Sequence, residues 1–224
     1  MKDLRLQRRH EKASSQKGRD RVQKILHATL DLIVEEGFSS LSMRKIAGRC
    51  DMTVGNLSYY YTSKSDLIHD LVDSVLQGYQ DIWDPLISDE TLTAEEKLIA
   101  FIKLIMEDLG TFETTRFFPE LWVMATHDSF VCECKMEAYK KVRLALSRLL
   151  KEVNPKLTNN SIEALSVFIS ASMEGHTIFI GYNKSCSAYA PQALNIAVNT
   201  FVSIAKNLTN EQIQTGYCFN ALND

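Results

Sequence analysis

Apolar residues recur along this chain at steps of three and four positions, and no alternating strand pattern or internal repeat interrupts them. Gly37 follows the first such stretch, where a glycine commonly ends a helix, and Asn154-Pro155 ends a later one. Thr93 and Glu96 form a capping box ahead of another apolar run. Helices are predicted over about 20–36, 64–80, 115–126, 129–153, 161–181 and 191–208, with Pro119 near the first turn of its helix and a loop at Asp84-Pro85. The predicted fold class is all-α.

Two short helices separated by a tight turn are predicted between residues 41 and 60. Ser42 is a candidate N-cap for the first helix, and Thr53 for the second. Asp51 lies in the turn, and aspartate tolerates left-handed backbone geometry better than most residues. In the second helix Val54 and Leu57 are predicted to point inward. Its other side offers small and polar groups, as a helix that reads base edges requires.

The segment 41–67, LSMRKIAGRCDMTVGNLSYYYTSKSDL, resembles the DNA-binding domain of the TetR family of bacterial transcriptional regulators. That family's pattern runs roughly T-x-x-x-I-A-x-x-A-G-V-S-x-G-x-L-Y-x-x-F-x-S-K-x-x-L. The positions that match it or are chemically similar are Ser42, Ile46, Ala47, Thr53, Gly55, Leu57, Tyr61, Ser63, Lys64 and Leu67. Cys50 and Asp51 depart from the usual Ala-Gly, and Ser58 from the usual Tyr.

This resemblance implies a set of residues that face DNA. Lys64 is predicted to hold a phosphate, and the Tyr59 and Tyr60 hydroxyls to fix the register. Arg44 and Asn56 are the predicted base readers, because their side chains can form paired hydrogen bonds to guanine or adenine. The full predicted set is Arg44, Thr53, Gly55, Asn56, Tyr59, Tyr60 and Lys64.

Charge is divided unevenly along the chain. Residues 1–64 hold 13 Lys and Arg against 7 Asp and Glu, whereas residues 65–224 hold 12 against 21. A basic head on an acidic body suits an anionic partner such as the DNA backbone at one end only. Residues 1–18 are basic and polar without a period, which predicts a tail that is disordered in the absence of DNA. The tail is either a solvated segment or an arm that contacts DNA.

The whole chain is predicted to divide into three regions. They are the tail at 1–18, a helix-turn-helix domain at 19–64 with its motif at about 41–60, and a helical effector-binding and dimerisation domain at 65–224. The resemblance implies that the last two long helices form the interface of a homodimer. The residues predicted to line it are Ile169, Met173, Val198, Phe201 and Ala205. Buried core within a monomer is the alternative explanation for these apolar helices.

The resemblance implies that the body binds a small-molecule effector, and the aromatic, methionine and histidine side chains on its helices are of the kind that such a pocket needs. Ordinary core packing is the alternative explanation for these side chains. The candidate residues are Phe101, Met106, Phe118, Trp122, His127, Tyr139, Phe168 and His176. Their composition favours a mostly apolar or aromatic compound.

Other kinds of chemistry find little support in the sequence. His127, Cys132 and Cys134 lie close together, but their spacing matches no common zinc framework, so neither a metal nor another cofactor is predicted. No nucleophile or phosphate-binding motif indicates an enzyme. The most apolar stretch, 162–182, contains Glu163, Glu174 and His176, which favours a buried helix over a membrane span. The five cysteines are predicted to be free thiols of a cytoplasmic protein.

The sequence therefore predicts a homodimeric DNA-binding regulator, most simply a repressor released from a palindromic operator by a small molecule. Two alternatives remain open. One is a constitutive dimeric DNA-binding protein whose body binds no ligand. The other is an all-helical enzyme or carrier.

Overall fold

The computed structural model describes residues 15–214, and helices account for most of them. No strand occurs within this range, which confirms the all-α prediction. The helices are α1 Gln16–Glu36, α2 Met43–Arg49, α3 Val54–Tyr60, α4 Lys64–Ile87, α5 Ala94–Leu109, α6 Phe112–Met124, α7 Ser129–Val153, α8 Asn159–Ile180, α9 Ala190–Asn207 and α10 Asn210–Gln214. Short 3-10 turns occupy Phe38–Ser40 and Ser187–Tyr189.

The first helix begins earlier than its apolar pattern suggests. Ser15 caps α1 by accepting a hydrogen bond from the Gly18 amide at 3.2 Å, so the helix starts at Gln16 instead of Asp20. Its first turn is exposed and polar, and an apolar pattern cannot reveal such a turn. Residues 16–18 of the predicted tail are therefore helical, and residues 1–14 of that tail lie outside the described residues.

The fourth helix continues beyond its predicted end at Gln80 and through Pro85 to Ile87, where a loop was expected. Trp83 is 6% exposed and Ile87 is 4% exposed. Burial of these two large side chains on the last turns offsets the hydrogen bond that a proline inside a helix removes.

The sixth helix also differs from its prediction, since it begins at Phe112 instead of about residue 115. Thr111 caps it by accepting a hydrogen bond from the Thr114 amide at 3.3 Å. Pro119 consequently lies in the middle of α6 and not near its first turn. Phe117 and Leu121, on either side of this proline, are fully buried and hold the helix against its neighbours.

Other helix ends lie close to where the capping residues and apolar patterns predict them. Gly37 ends α1 with a φ of 82°, a backbone conformation that favours glycine. Thr93 and Glu96 form both hydrogen bonds of the capping box, from the Thr93 amide at 2.8 Å and from the Glu96 amide at 3.2 Å. Helix α7 has its predicted bounds, and α8 and α9 begin and end within two residues of theirs.

The chain folds into two compact units. The first contains the described residues through Pro85 together with Gly110–Tyr139, so that α6 and the start of α7 join the helix-turn-helix. Its core includes Ile25, Ile46 and Leu57 from the first three helices, and Phe117 and Leu121 from α6. The second unit contains 86–109 and the described residues from Lys140 onward. There α5, α8 and α9 pack against one another.

Candidate nucleic-acid interface

A tight turn joins α2 to α3 and places the two helices as a helix-turn-helix. Ser42 caps α2 by accepting a hydrogen bond from the Lys45 amide at 3.3 Å, and Thr53 caps α3 through the Asn56 amide at 3.2 Å. Asp51 adopts the left-handed conformation predicted for it, with a φ of 55°. These local signals fix where α3 starts and which side it turns outward.

The inner side of α3 is anchored by a single large apolar residue. Leu57 is completely buried against the core that includes Ile46 and Ala47 of α2. The prediction that Val54 also points inward is wrong, since this side chain is 43% exposed. Val54 is the first residue of α3 and lies at the end of the helix, so the inward position falls to Leu57 one turn later.

The outer side of α3 presents a mostly polar, exposed surface. Tyr59 is 79% exposed and meets the Tyr60 ring edge-on, with 5.2 Å between the ring centroids. Asn56 is exposed beside them. A Cβ atom on Gly55 would meet only the Thr53 Oγ1 atom, at 3.9 Å, so the chain's own packing does not require glycine there. The missing side chain leaves room for the backbone of a partner to approach closely.

Lys64 has contacts within the chain that the sequence did not reveal. Its ammonium nitrogen lies 3.3 Å from the Leu41 carbonyl oxygen and 4.5 Å from the centre of the Phe38 ring. Both contacts hold the segment that leads into α2. An ammonium group carries three donors, so these contacts are compatible with a further bond to phosphate.

Several basic residues of the helix-turn-helix region are neutralised by acidic neighbours. Lys45 pairs with Glu36 at 2.6 Å, and Arg49 pairs with Glu35 at 2.5 Å. The hydrogen bond from Arg49 holds the pKa of the Glu35 carboxyl below its usual value. Arg44 is exposed and has no ion pair within residues 15–214. Its guanidinium is therefore available to a ligand, as the prediction of a base reader requires.

The predicted effector residues are divided between the two compact units. Phe118, Trp122, His127 and Tyr139 belong to the first, and Phe101, Met106, Phe168 and His176 to the second. In the first unit the Trp122 indole donates to the Tyr139 hydroxyl at 2.9 Å, and Phe118 packs on Tyr79 with 5.7 Å between centroids. His127 is exposed.

In the second unit Phe101 is fully buried and is core, whereas Phe168 is 54% exposed and meets Phe201 edge-on. Met106 is half-buried. The His176 Nδ1 atom lies 2.6 Å from the Ser172 carbonyl oxygen one turn earlier. A separate surface groove of about 290 Å³ runs between α5 and α9, and its lining includes none of the eight predicted pocket residues.

The residues predicted for the dimer interface are mostly interior. Ile169, Met173, Phe201 and Ala205 are all 4% exposed or less within the single chain, and Val198 is half-buried. They form the side of α8 and α9 that packs inside the second unit. The outward side of α8 is also apolar and carries other residues: Ala164, Val167, Phe168, Ala171 and Ile178. Any interface built on α8 must use this second face.

Two further findings concern sites that the sequence raised or missed. Within residues 15–214 no group of three or more His, Cys, Asp or Glu side chains could hold a metal ion, and no helix is long and apolar enough to cross a membrane.

Glu120 of α6 makes a contact that the sequence pattern did not indicate. Its carboxylate accepts a hydrogen bond from the Phe38 amide at 2.9 Å, across 82 positions of sequence. No local pattern could indicate so distant a contact.

Helices α2 and α3 together form a helix-turn-helix. The family model for "Bacterial regulatory proteins, tetR family" matches residues 25–71, from α1 into α4. A probable HTH-type transcriptional regulator of Bacillus subtilis, YttP, is 31% identical over 80 residues, which are 35% of this chain and 39% of that protein. The HTH-type transcriptional repressor KstR of Rhodococcus jostii is 36% identical over 69 residues, 31% of either chain. The chain thus matches less than half the length of these two relatives.

The fold likeness extends over both units. A putative transcriptional regulator from Saccharomonospora viridis, solved in complex with choline, superposes with a TM-score of 0.70 at 17% identity and covers 83% of this chain and 96% of its own. The chain is therefore similar to the TetR family of bacterial transcriptional regulators over residues 25–71, and its fold resembles that of solved transcriptional regulators beyond this segment.

Proposed function

We propose that the protein is a homodimeric repressor that binds a palindromic operator through α3 and leaves it when a small molecule binds the helical body. The main support for this proposal is that the two sides of α3 differ. Leu57 is fully buried on one side, whereas Gly55, Asn56 and Tyr59 are exposed on the other. The relative KstR is named a repressor, which favours this sign of regulation.

Selection from a library of random 30-base-pair duplexes tests the DNA-binding part. The wild-type protein is expected to enrich a palindrome, because a two-fold dimer presents two identical reading helices. Asn56→Ala should relax specificity at one position of each half-site and cost about 1–3 kcal/mol there. Asn159→Ala, an exposed asparagine at the first position of α8 and outside the proposed dimer face, is the matched control and should change nothing. Enrichment of no sequence at all would overturn the proposal.

The proposed dimer uses the outward apolar face of α8. Val167 is 47% exposed, Phe168 54% and Ile178 63%, and they recur at helical spacing with Ala164 and Ala171 between them. The outer side of α9 adds uncharged polar groups and Ile196, which is 67% exposed. An exposed apolar stripe of this kind marks an interaction surface, and a second copy offers a self-complementary one.

Sedimentation equilibrium at micromolar concentration tests the dimer. Ile178→Glu should give folded monomers, because the charge would be buried without a partner in both copies. Val123→Glu is the control, since Val123 is 58% exposed on α6 in the other unit. A wild-type monomer, or dissociation of both variants alike, would contradict the proposed interface.

The proposed effector site draws support from side chains whose polar atoms lack partners. The Ser170 and Thr177 hydroxyls are buried on α8 without a hydrogen bond within the described chain, seven positions apart on one face of the helix. A buried hydroxyl without a partner costs about 1–3 kcal/mol, and a bound compound that hydrogen-bonds to it removes that cost. We infer an effector with at least one polar group on an otherwise apolar or aromatic body.

A panel of such compounds tests this inference through thermal shift and operator affinity. Choline joins the panel because the Saccharomonospora viridis protein was solved with it. An active compound should raise the melting temperature and weaken operator binding about 5–150-fold, an ordinary range for allosteric coupling. Thr177→Val should weaken the response and leave ligand-free operator affinity intact. If no compound changes either quantity, the constitutive DNA-binding alternative is favoured.

A further inference from the structure

Helix α6 reaches the helix-turn-helix region through one carboxylate. The Glu120 Oε2 atom accepts the Phe38 amide hydrogen at 2.9 Å. A Cβ atom placed on Gly37 would lie 3.3 Å from the Glu120 Oε1 atom, closer than most side chains approach. Gly37 also has a φ of 82°, which favours glycine. The turn after α1 is therefore shaped so that the Glu120 carboxylate can lie directly against it.

The turn after α1 also contacts Lys64, the residue predicted to bind phosphate. The Phe38 ring lies beneath the Lys64 ammonium, and the Leu41 carbonyl accepts a hydrogen bond from the same group. The Ser40 hydroxyl closes the turn by donating to the Gly37 carbonyl at 2.9 Å. Direct contacts thus lead from Glu120 through the turn to Lys64 at the start of α4.

The other side chains of α6 explain how a ligand could act on this contact. Phe117 and Leu121 are fully buried in the core shared with α1, α2 and α3. Trp122, two positions after Glu120, donates to Tyr139 of α7 and belongs to the predicted effector residues. The carboxylate and the indole therefore lie on the same rigid turn of one helix.

We propose that Glu120 is a positioning residue for the DNA-binding surface: its hydrogen bond to the Phe38 amide holds the turn that places Lys64 and the start of α2. A displacement of α6 breaks this hydrogen bond and releases the turn. This inference rests on the proposed function and adds to it the contact through which the body regulates the helix-turn-helix.

Two conservative variants separate the geometry of this contact from its charge. Glu120→Asp keeps the charge but withdraws the carboxylate by about 1.5 Å, beyond hydrogen-bond reach of the amide. Glu120→Gln loses the charge but keeps an acceptor oxygen at the same reach. Glu133→Gln and Glu133→Asp serve as controls, because Glu133 is exposed on α7.

The measurements are the affinity for a 30-base-pair duplex enriched by the wild-type protein, the affinity for an unrelated duplex, and the hydrogen-exchange rate of the Phe38 amide by NMR. Glu120→Asp is expected to weaken binding of the enriched duplex about threefold to tenfold and to speed exchange about tenfold, as the net loss of one hydrogen bond implies. Binding of the unrelated duplex should weaken as well, because every duplex presents the phosphates that Lys64 is predicted to hold. Glu120→Gln should resemble wild type in all three.

Three outcomes overturn the inference. The first is a loss of affinity in Glu120→Gln but not in Glu120→Asp, which would assign the effect to charge. The second is equal losses in the Glu120 and Glu133 variants. The third is faster Phe38 exchange in Glu120→Asp with no change in affinity for the enriched duplex. If the wild-type protein enriches no duplex, the proposed function fails, and the exchange rates still decide whether Glu120 holds the turn.

Discussion

Replacing Lys64 with methionine tests whether one ammonium group serves both the fold and the DNA. The variant keeps most of the aliphatic side chain and removes only the charged end. In the structure that end contacts the Phe38 ring at 4.5 Å and the Leu41 carbonyl at 3.3 Å. A cation–π contact at such a site contributes about 0.5–1 kcal/mol, and a hydrogen bond about 1 kcal/mol net. We expect the free energy of unfolding to fall by about 1–2 kcal/mol.

The same change should alter DNA binding in a way that salt reveals. If Lys64 also contacts a phosphate, the plot of log affinity against log salt concentration should flatten by about one unit. Urea unfolding followed by circular dichroism measures the first effect, and fluorescence anisotropy with a labelled duplex at several salt concentrations measures the second. Arg44→Met is the matched control, because it removes the same charge from a side chain with no ion pair in the described chain. It should weaken DNA binding and leave stability unchanged.

The two readouts can refute separate parts of this reasoning. An unchanged salt slope in Lys64→Met, beside the expected loss of stability, would restrict the ammonium to its internal contacts. Unchanged stability would mean that the contacts with Phe38 and Leu41 contribute nothing measurable to folding.

Three further predictions concern stability. Thr177→Val should raise the free energy of unfolding by about 1 kcal/mol, because it removes a buried hydroxyl without a partner in the described chain. Ser161→Ala should lower the free energy of unfolding, because the Ser161 hydroxyl accepts two hydrogen bonds. Chemical denaturation shows whether each variant is more or less stable than the wild-type protein. Asn154→Ala should lower the melting temperature, since the Asn154 amide donates to three carbonyls at the end of α9, and equal melting by calorimetry would contradict this. His69 donates to Asp128 and lowers the pKa of that carboxyl below its ordinary value of 3.8, so its contribution is present above pH 3.8 and lost as pH falls further. Asp128 also caps α7, because its Oδ1 atom accepts a hydrogen bond from the Val131 amide at 3.1 Å. Asp128→Ala should cost about 1 kcal/mol near neutral pH, and a cost that persists unchanged in acid would refute the linkage.

The helix-turn-helix could be predicted closely because its signals are local. Ser42 and Thr53 cap helices through amides three positions away, and Asp51 adopts its conformation within one turn. Such interactions join residues that are close together in the sequence, so a sequence pattern can reveal them. Glu120 shows the opposite case, because its partner is 82 positions away and only the folded chain brings the two together.

Helix α8 shows a second limit. It is apolar on two sides, and periodicity alone does not tell which side packs within the chain. Ile169 and Met173 lie on the inner side, while Phe168 and Ile178 face outward. The prolines show a third limit. Pro85 is accommodated because Trp83 behind it is buried, and that burial depends on the rest of the fold.

The core that α6 shares with the first three helices limits how these helices can be exchanged between proteins of this fold. A fragment ending at Lys64 would expose the apolar surface that Phe117 and Leu121 cover and would lose the acceptor of the Phe38 amide. A chimera that grafts these helices onto another protein of this fold therefore needs compatible residues on the recipient's sixth helix, with a carboxylate at the place of Glu120. The same constraint applies in evolution. Exposed side chains on the outer side of α3 can change without loss of the shared core, whereas exchange of the whole helix-turn-helix requires α6 to change with it.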